Sequence, residues 1–234
     1  APTAAICPST LDYNTTYTGG SGAGELLKIQ LDSTQGTYRI QILESAVPKA
    51  VGEVSPTRAG VTLTGTMTHP TKPLPTTAQN NCAYELKTVT ASDGASQAII
   101  DAANPPILFV GNGVVGGGVP GATIRFDGIF GLGVIPAKTF PIYPTIAFAE
   151  TESDFSKIAG NYNVLGYHLV PSGGSLVPAQ TYAPASYGGV ETLNANGSCT
   201  GASSAACKTT GTPWKARADG TGFDSGNAES IGGG

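Results

Sequence analysis

The sequence predicts an all-β protein of mainly antiparallel meanders, barrel- or sandwich-like, with one or two short helices. Three observations carry this. Two neighbouring segments alternate apolar and polar residues with a period of two: Leu27, Ile29 and Leu31 against Lys28, Gln30 and Asp32, then Tyr38, Ile40 and Ile42 against Arg39 and Gln41. Such alternation sets one face of a strand in a core and the other in water. Turn-forming residues punctuate the chain at short intervals, among them Asn196-Gly197 and Asp219-Gly220, which favour tight hairpins. Long helical periodicity is missing, and 33 glycines and 17 prolines would break it.

Taken in order, "ELLKIQLD" and "TYRIQIL" form a hairpin through "DSTQG". Further strands are expected at Val61–Met67, Tyr84–Val89, Ile107–Val110, Ala122–Phe126 and Pro144–Phe148. "SQAIIDAAN", from Ser96, has the composition for two helical turns. "TESDFSKIAG" offers a second short helix, with Thr151 and Asp154 at capping-box spacing and Gly160 as its stop. A strand over Tyr162–Val170 follows, then strands in "GGVETLNANGSC" and "WKARADGTGF". The chain therefore divides into an N-terminal β domain, 1–150, and a second meander, 151–234, either incomplete or sharing a core with the first. The closing "SIGGG" reads as a linker or a cut edge.

Charged residues are only 12% of the chain and the net charge is −4. The Lys and Arg residues are scattered singly, so no positive face exists to displace counterions from nucleic acid. Prolines and glycines interrupt the charge-poor stretch from Ala102 to Ile124, which excludes a transmembrane helix. Four cysteines without a C-x-x-C pattern, and only two histidines, argue against zinc. An even count with this composition favours disulfides in an exported protein, with Cys199 bridged to Cys207 across a short loop and Cys7 to Cys82. The expected location is periplasmic, cell-surface or extracellular.

The stretch "ILFVGNGVVGGGVPG" contains a dinucleotide-type G-x-G-x-x-G at Gly111, Gly113 and Gly116. That fingerprint needs a helix immediately afterwards, to aim free N–H groups at a pyrophosphate. Here Gly117, Gly118, Val119, Pro120 and Gly121 follow, and no helix starts. No cofactor is expected. Three uses of the run remain. It is a core strand with a mobile loop, a long ordered hairpin packed on the β core, or Gly111, Gly113, Gly116, Gly117 and Gly118 form an interaction loop for self-association or a small apolar or lipid ligand. Ile129, Phe130, Leu132, Val134 and Ile135 would extend that apolar surface. On the last view, deleting Gly111–Gly118 should spare folding and abolish association.

Catalytic chemistry is hard to find. His69 and His168 are the only candidate bases, and neither has a partner motif. Glu150, Glu152 and Asp154 share one face if extended, and could offer oxygen ligands to Ca²⁺; the simpler use is acidic charge at a helix start. Asp219, Asp224 and Asn227 form a second oxygen-rich loop that does not match EF-hand spacing. Asn14 and Asn196 stand in glycosylation-type triplets and are read as turn residues.

The series "DYNTTYTGGSGAGELLKIQLD", "TYRIQILESAVP", "AGNYNVLGY" and "LNANGSC" resembles a family of uncharacterised exported, lipoprotein-like proteins of proteobacteria, a domain of unknown function. The resemblance implies export and a β-rich fold, and no particular reaction. Residues 157–234 also resemble the opening of a lipocalin-like barrel, with Tyr162 where the Gly-x-Trp motif has its Trp. The function expected is therefore a non-enzymatic binding or assembly module. The alternatives are a lipocalin-like carrier of a small apolar ligand, a fibre subunit with an unpaired edge, and a hydrolase whose site is assembled in space.

Overall fold

The computed structural model describes residues 5–126, 135–172, 181–201 and 214–224. The chain splits into two compact units, Ala1–Glu150 and Thr151–Gly234. Unit 1 contains β1 (Tyr17–Ser21), β2 (Leu26–Asp32), β3 (Thr37–Glu44), β4 (Thr62–Thr68), α1 (Thr77–Cys82), β5 (Ala83–Leu86), β6 (Thr90–Ala91), β7 (Ile107–Gly111), β8 (Val114–Phe126) and β9 (Ile135–Phe148). Sequential strands pair antiparallel, except that β5 and β6 share one side of β4 and the next pairing runs from β5 to β7. β9 returns to β1. The result is a closed eight-stranded up-and-down antiparallel barrel. Closure removes the sheet edge where the eight strands overlap, while β8 and β9 run on past their β7 and β1 pairings, which end at Gly117 and Thr145.

The alternation in β2 and β3 builds the interior as its pattern requires. Leu27, Ile29, Leu31, Tyr38, Ile40 and Ile42 are all at most 1% exposed. Leu63, Met67, Leu86, Leu108, Val110, Val115, Val119, Tyr143 and Ala147 complete the core. Eight strands enclose a space that side chains just fill. Tyr38 faces Gly65 across β3 and β4, and its hydroxyl donates to the Thr88 carbonyl at 2.6 Å. A Cβ on Gly65 would lie 1.8 Å from that carbonyl oxygen, so glycine is required there. Burial pushes the Tyr38 phenol well above the ordinary tyrosine range.

At one end of the barrel, Arg58 and Glu25 form a buried bidentate ion pair of 2.6 and 2.9 Å. Ser45 and Ser21 also donate to the Glu25 carboxylate, and the Gln97 and Pro120 carbonyls accept from Arg58. Both charges in this plug are paired and hydrogen-bonded, which is the condition for tolerating charge in a core. At the opposite end a disulfide joins Cys7 to Cys82 over a sequence separation of 75, tying the N-terminal strap to the end of α1. Loss of such a link typically costs ~2–5 kcal/mol.

Two helix expectations need correction. Residues from Ser96 are not helical. Asp93 accepts from the backbone and hydroxyl of Ser96, and Ile99 exchanges both backbone hydrogen bonds with Gly121, which holds the segment extended along β8. The "TESDFSKIAG" helix is a single 3₁₀ turn, Phe155–Ile158, capped by Asp154. The α-helix that does form, α1, is capped by a reciprocal Thr76–Gln79 box.

In unit 2, β10 (Gly160–Ser172) and β11 (Thr181–Leu193) pair along their whole lengths, and β12 (Cys199–Gly201) adds to the end of β11. A short ribbon, β13 (Lys215–Ala216) and β14 (Phe223–Asp224), carries the Asp219-Gly220 turn. Its Phe223 meets Phe155 edge-on, with ring centroids 5.0 Å apart. Cys199 is disulfide-bonded, and Cys207 lies outside the described residues. The closed barrel is thus built before residue 150. Among the described residues, the segment likened to a lipocalin opening holds a three-stranded sheet and a two-stranded ribbon.

Candidate functional site

The glycine-rich run is barrel wall. β7 turns at Asn112-Gly113, where Gly113 has φ +80°, and β8 runs back from Val114 through Gly116, Gly117 and Gly118 to Phe126. Gly111, Gly116, Gly117 and Gly118 all stand in strands, so only Gly113 is a loop residue. Removing Gly111–Gly118 would delete the β7–β8 turn and part of a stave.

The glycines of this run have different causes. A Cβ on Gly117 would lie 2.1 Å from the Ile107 oxygen, one on Gly118 2.3 Å from Ile142 Cγ2, and one on Gly121 1.7 Å from the Phe140 oxygen. Backbone atoms forbid a side chain at Gly117 and Gly121, and at Gly118 the Ile142 side chain would have to shift. Gly116 is different: its nearest neighbours would be the Thr145 oxygen at 3.6 Å and Ile146 Cγ1 at 4.0 Å, which are ordinary contacts.

Gly116 points outward, in a cross-strand row of Phe109, Gly116, Ile146 and Gly20 from β7, β8, β9 and β1. The next row is Gly111, Val114, Phe148 and Thr18. Phe109, Ile146 and Phe148 are 41%, 54% and 47% exposed. Ile6 of the N-terminal strap is also exposed beside the β7 end, where the Asn112 side-chain amide donates to the Ala5 carbonyl at 3.0 Å. The patch carries no formal charge. Its shape is a shallow groove floored by Gly116 and walled by Phe109 and Ile146, about 9–10 Å apart from two strand spacings. Contiguous exposed apolar surface of this kind marks contact sites.

Glu152 accepts from the Ser153 and Asp154 amides and pairs with Lys157 at 3.2 Å, while Asp154 accepts from the Ser156 amide and hydroxyl. These contacts hold both carboxyls below the usual range: for Glu152 the Asp154 amide is the leading cause, and for Asp154 the Ser156 hydroxyl. They are capping groups of the 3₁₀ turn; Glu150 is exposed at the end of unit 1. Asp219 accepts from Arg217 and Thr221, and Asp224 accepts from Arg217. Asn227 lies outside the described residues, as do residues 127–134 with most of the expected apolar extension. Among the described residues, no group of three or more His, Cys, Asp or Glu could hold a metal ion.

His69 is exposed, donates from Nδ1 to the Ala83 carbonyl at 3.0 Å, and stacks on Tyr84 at 4.7 Å. The nearby carboxylate, Glu85, is committed to Thr71 and Lys87. Burial acts to raise the Glu85 carboxyl, and the Lys87 and Thr71 donors outweigh it, leaving it below the usual range. The His168 side chain lies outside the described residues.

A family model described as a protein of unknown function (DUF2957) matches residues 37–232. The chain belongs to this family. No curated protein and no solved structure matches it. For this DUF2957 chain the family therefore adds no ligand or reaction, and no helix is long and apolar enough to cross a membrane among the described residues.

Sequence reasoning missed the exposed row because β9 offers apolar residues at both parities. Tyr143, Thr145 and Ala147 turn inward while Pro144, Ile146 and Phe148 turn outward. The readable signal was the inversion, with bulkier apolar groups opposite Thr and Ala.

Proposed function

We propose that this DUF2957 protein is an exported, non-enzymatic binding or assembly module that works through the outer wall of its barrel. The observation that carries the reading is the uncharged outward row Phe109–Gly116–Ile146, in which Gly116 is not needed by the fold. The Cys7–Cys82 bridge supports an oxidising compartment. Tyr17, Tyr38 and the aliphatic core occupy the barrel interior, which favours the wall over a lipocalin-like cavity. Where all eight strands overlap, the closed wall disfavours a fibre built by strand addition. Native mass spectrometry of protein purified from its own source tests the reading. A retained non-covalent partner is expected, lost in Ile146→Arg with the circular dichroism unchanged. Hydrolysis of ester, peptide or glycoside substrates that vanishes in His69→Ala would overturn it.

A further inference from the structure

Independently of the wall-contact reading, we propose that Asn112 is a self-modification site: its side-chain amide is lost to its own backbone through a cyclic imide, and the carboxylate that results unfastens the N-terminal strap. The site is Gly111-Asn112-Gly113, at the turn between β7 and β8. Imide closure needs a carboxamide, a following backbone nitrogen that is free to attack it, and room around both. Asn or Asp precedes Gly at four positions among the described residues: Asp93, Asn112, Asn196 and Asp219. The amides of Gly94, Gly197 and Gly220 donate to the carbonyls of Ala91, Asn194 and Arg217 at 3.0, 2.9 and 3.1 Å. The Gly113 amide has no acceptor among the described residues. Asp93 and Asp219 are also poor electrophiles, being carboxylates paired with Lys49 and Arg217. The Asn196 carboxamide is fixed by the Ser198 amide and hydroxyl, which donate to its Oδ1 at 3.0 and 2.6 Å. Asn112 and Gly113 are exposed, and beyond its chain neighbours no atom lies within 4 Å of where a Gly113 Cβ would stand.

The step balances with water as the only co-reactant. The Gly113 nitrogen bonds to Asn112 Cγ, the Cγ–Nδ2 bond breaks, and Nδ2 leaves as ammonia with the proton from Gly113. Water then opens the ring, at Cγ to give isoaspartate's isomer, aspartate, or at the Asn112 main-chain carbonyl carbon to give isoaspartate. The consequence follows from what the side chain holds. Asn112 Nδ2 donates to the Ala5 carbonyl at 3.0 Å. A carboxylate has no proton to give and sets negative oxygen against that carbonyl. Ile6 is exposed, so no packing replaces the lost bond. The Cys7–Cys82 bridge and the exchange between Leu11 and Ser33 are untouched, which confines the release to the strap ahead of Cys7.

The test incubates the intact, disulfide-bonded chain at mildly alkaline pH, where attack by the nitrogen is faster, and follows both Asn-Gly sites by peptide mass spectrometry. Asn112 should convert about two- to tenfold faster than Asn196, the factor that freedom from one net hydrogen bond is worth. The amide order parameter of Ile6, read by NMR, should fall below about 0.6 both in the converted protein and in Asn112→Asp. Incubation should leave it unchanged in Asn112→Gln, whose longer side chain closes an imide slowly. Conversion at Asn196 ahead of Asn112 overturns the proposal. So does an Asn112 that stays intact while the denatured chain converts there, or conversion at Asn112 with no loss of order at Ile6.

Discussion

The β2–β3 and β8–β9 hairpins line the same barrel with the same antiparallel pairing, yet their outer faces are opposites. β2 and β3 turn Lys28, Gln30, Arg39 and Gln41 outward, and the guanidinium of Arg39 lies 4.3 Å from the Tyr13 ring centroid. β8 and β9 turn Gly116, Ile146 and Phe148 outward. The interior makes the same demand on both, so the difference does not come from folding. A strand's inward parity reports on stability; where its outward parity is apolar without structural need, it reports on contact.

The two hairpins are joined by Arg58, which pairs with Glu25 at the start of β2 and donates to the Pro120 carbonyl of β8. Glu25→Ala leaves the guanidinium buried and uncompensated, and should cost about 3–5 kcal/mol in denaturant unfolding. It is the largest effect expected, because it acts on both hairpins at once. A loss below about 1 kcal/mol would mean that the plug opens to water without consequence.

The next test separates inward from outward apolar residues. Ile40→Ala empties a site that is 1% exposed and should cost about 2–5 kcal/mol. Ile146→Ala acts on a residue 54% exposed and should stay within about 0.5 kcal/mol at concentrations where the chain is monomeric. Equal losses at the two sites would erase the distinction between the walls.

These contrasts also mark how far the sequence could be read. β2 and β3 were legible because amphipathic alternation and a polar turn agree on one register. β1 was not, since Tyr17, Thr18, Gly19 and Gly20 show no pattern; Gly19 is there because its Cβ would lie 2.0 Å from the Ile146 oxygen, a constraint 127 positions away in the chain. The Glu25–Arg58 pair, 33 positions apart, is also non-local. For the site, the glycine run is legible as a hairpin packed on a β core, and its place in the wall of a closed barrel is not. Glycine weakens strand propensity locally, and only the crowding of Ile107, Ile142 and Phe140 explains why it is kept.

Acid sensitivity should follow the covered wall. β5 is buried on both faces. Burial pushes the carboxyl of its Glu85 upward, and Lys87 and Thr71 together overcome that and hold it below the usual carboxylate range. A depressed folded value means that its stabilisation is complete above the unfolded pKa, about 4.3, and is lost as pH falls through the folded value. Glu85→Gln should lower stability at neutral pH and flatten its fall in acid, measured as the unfolding midpoint against pH. The outward pairs Val114–Phe148 and Gly116–Ile146 contain no carboxylate, so Ile146→Ala should leave that pH profile unchanged.

The smallest effect is the most discriminating. Gly116→Ala adds a methyl group where the nearest atoms are 3.6 and 4.0 Å away, and restricts the unfolded chain. If the fold alone set residue 116, alanine would serve as well, and the monomer should gain up to about 0.4–1 kcal/mol. The same change at Gly117, with φ +141° and an oxygen 2.1 Å from the new Cβ, must be destabilising. Denaturant midpoints of the two variants, recorded at dilution, therefore separate two glycines that are neighbours in the chain. A gain at 116 beside a loss at 117 leaves the bare floor at Gly116 without a folding reason, and contact at the outer wall becomes its explanation. A loss at both positions would return Gly116 to the architecture of the barrel and take away the strongest argument that this face meets a partner.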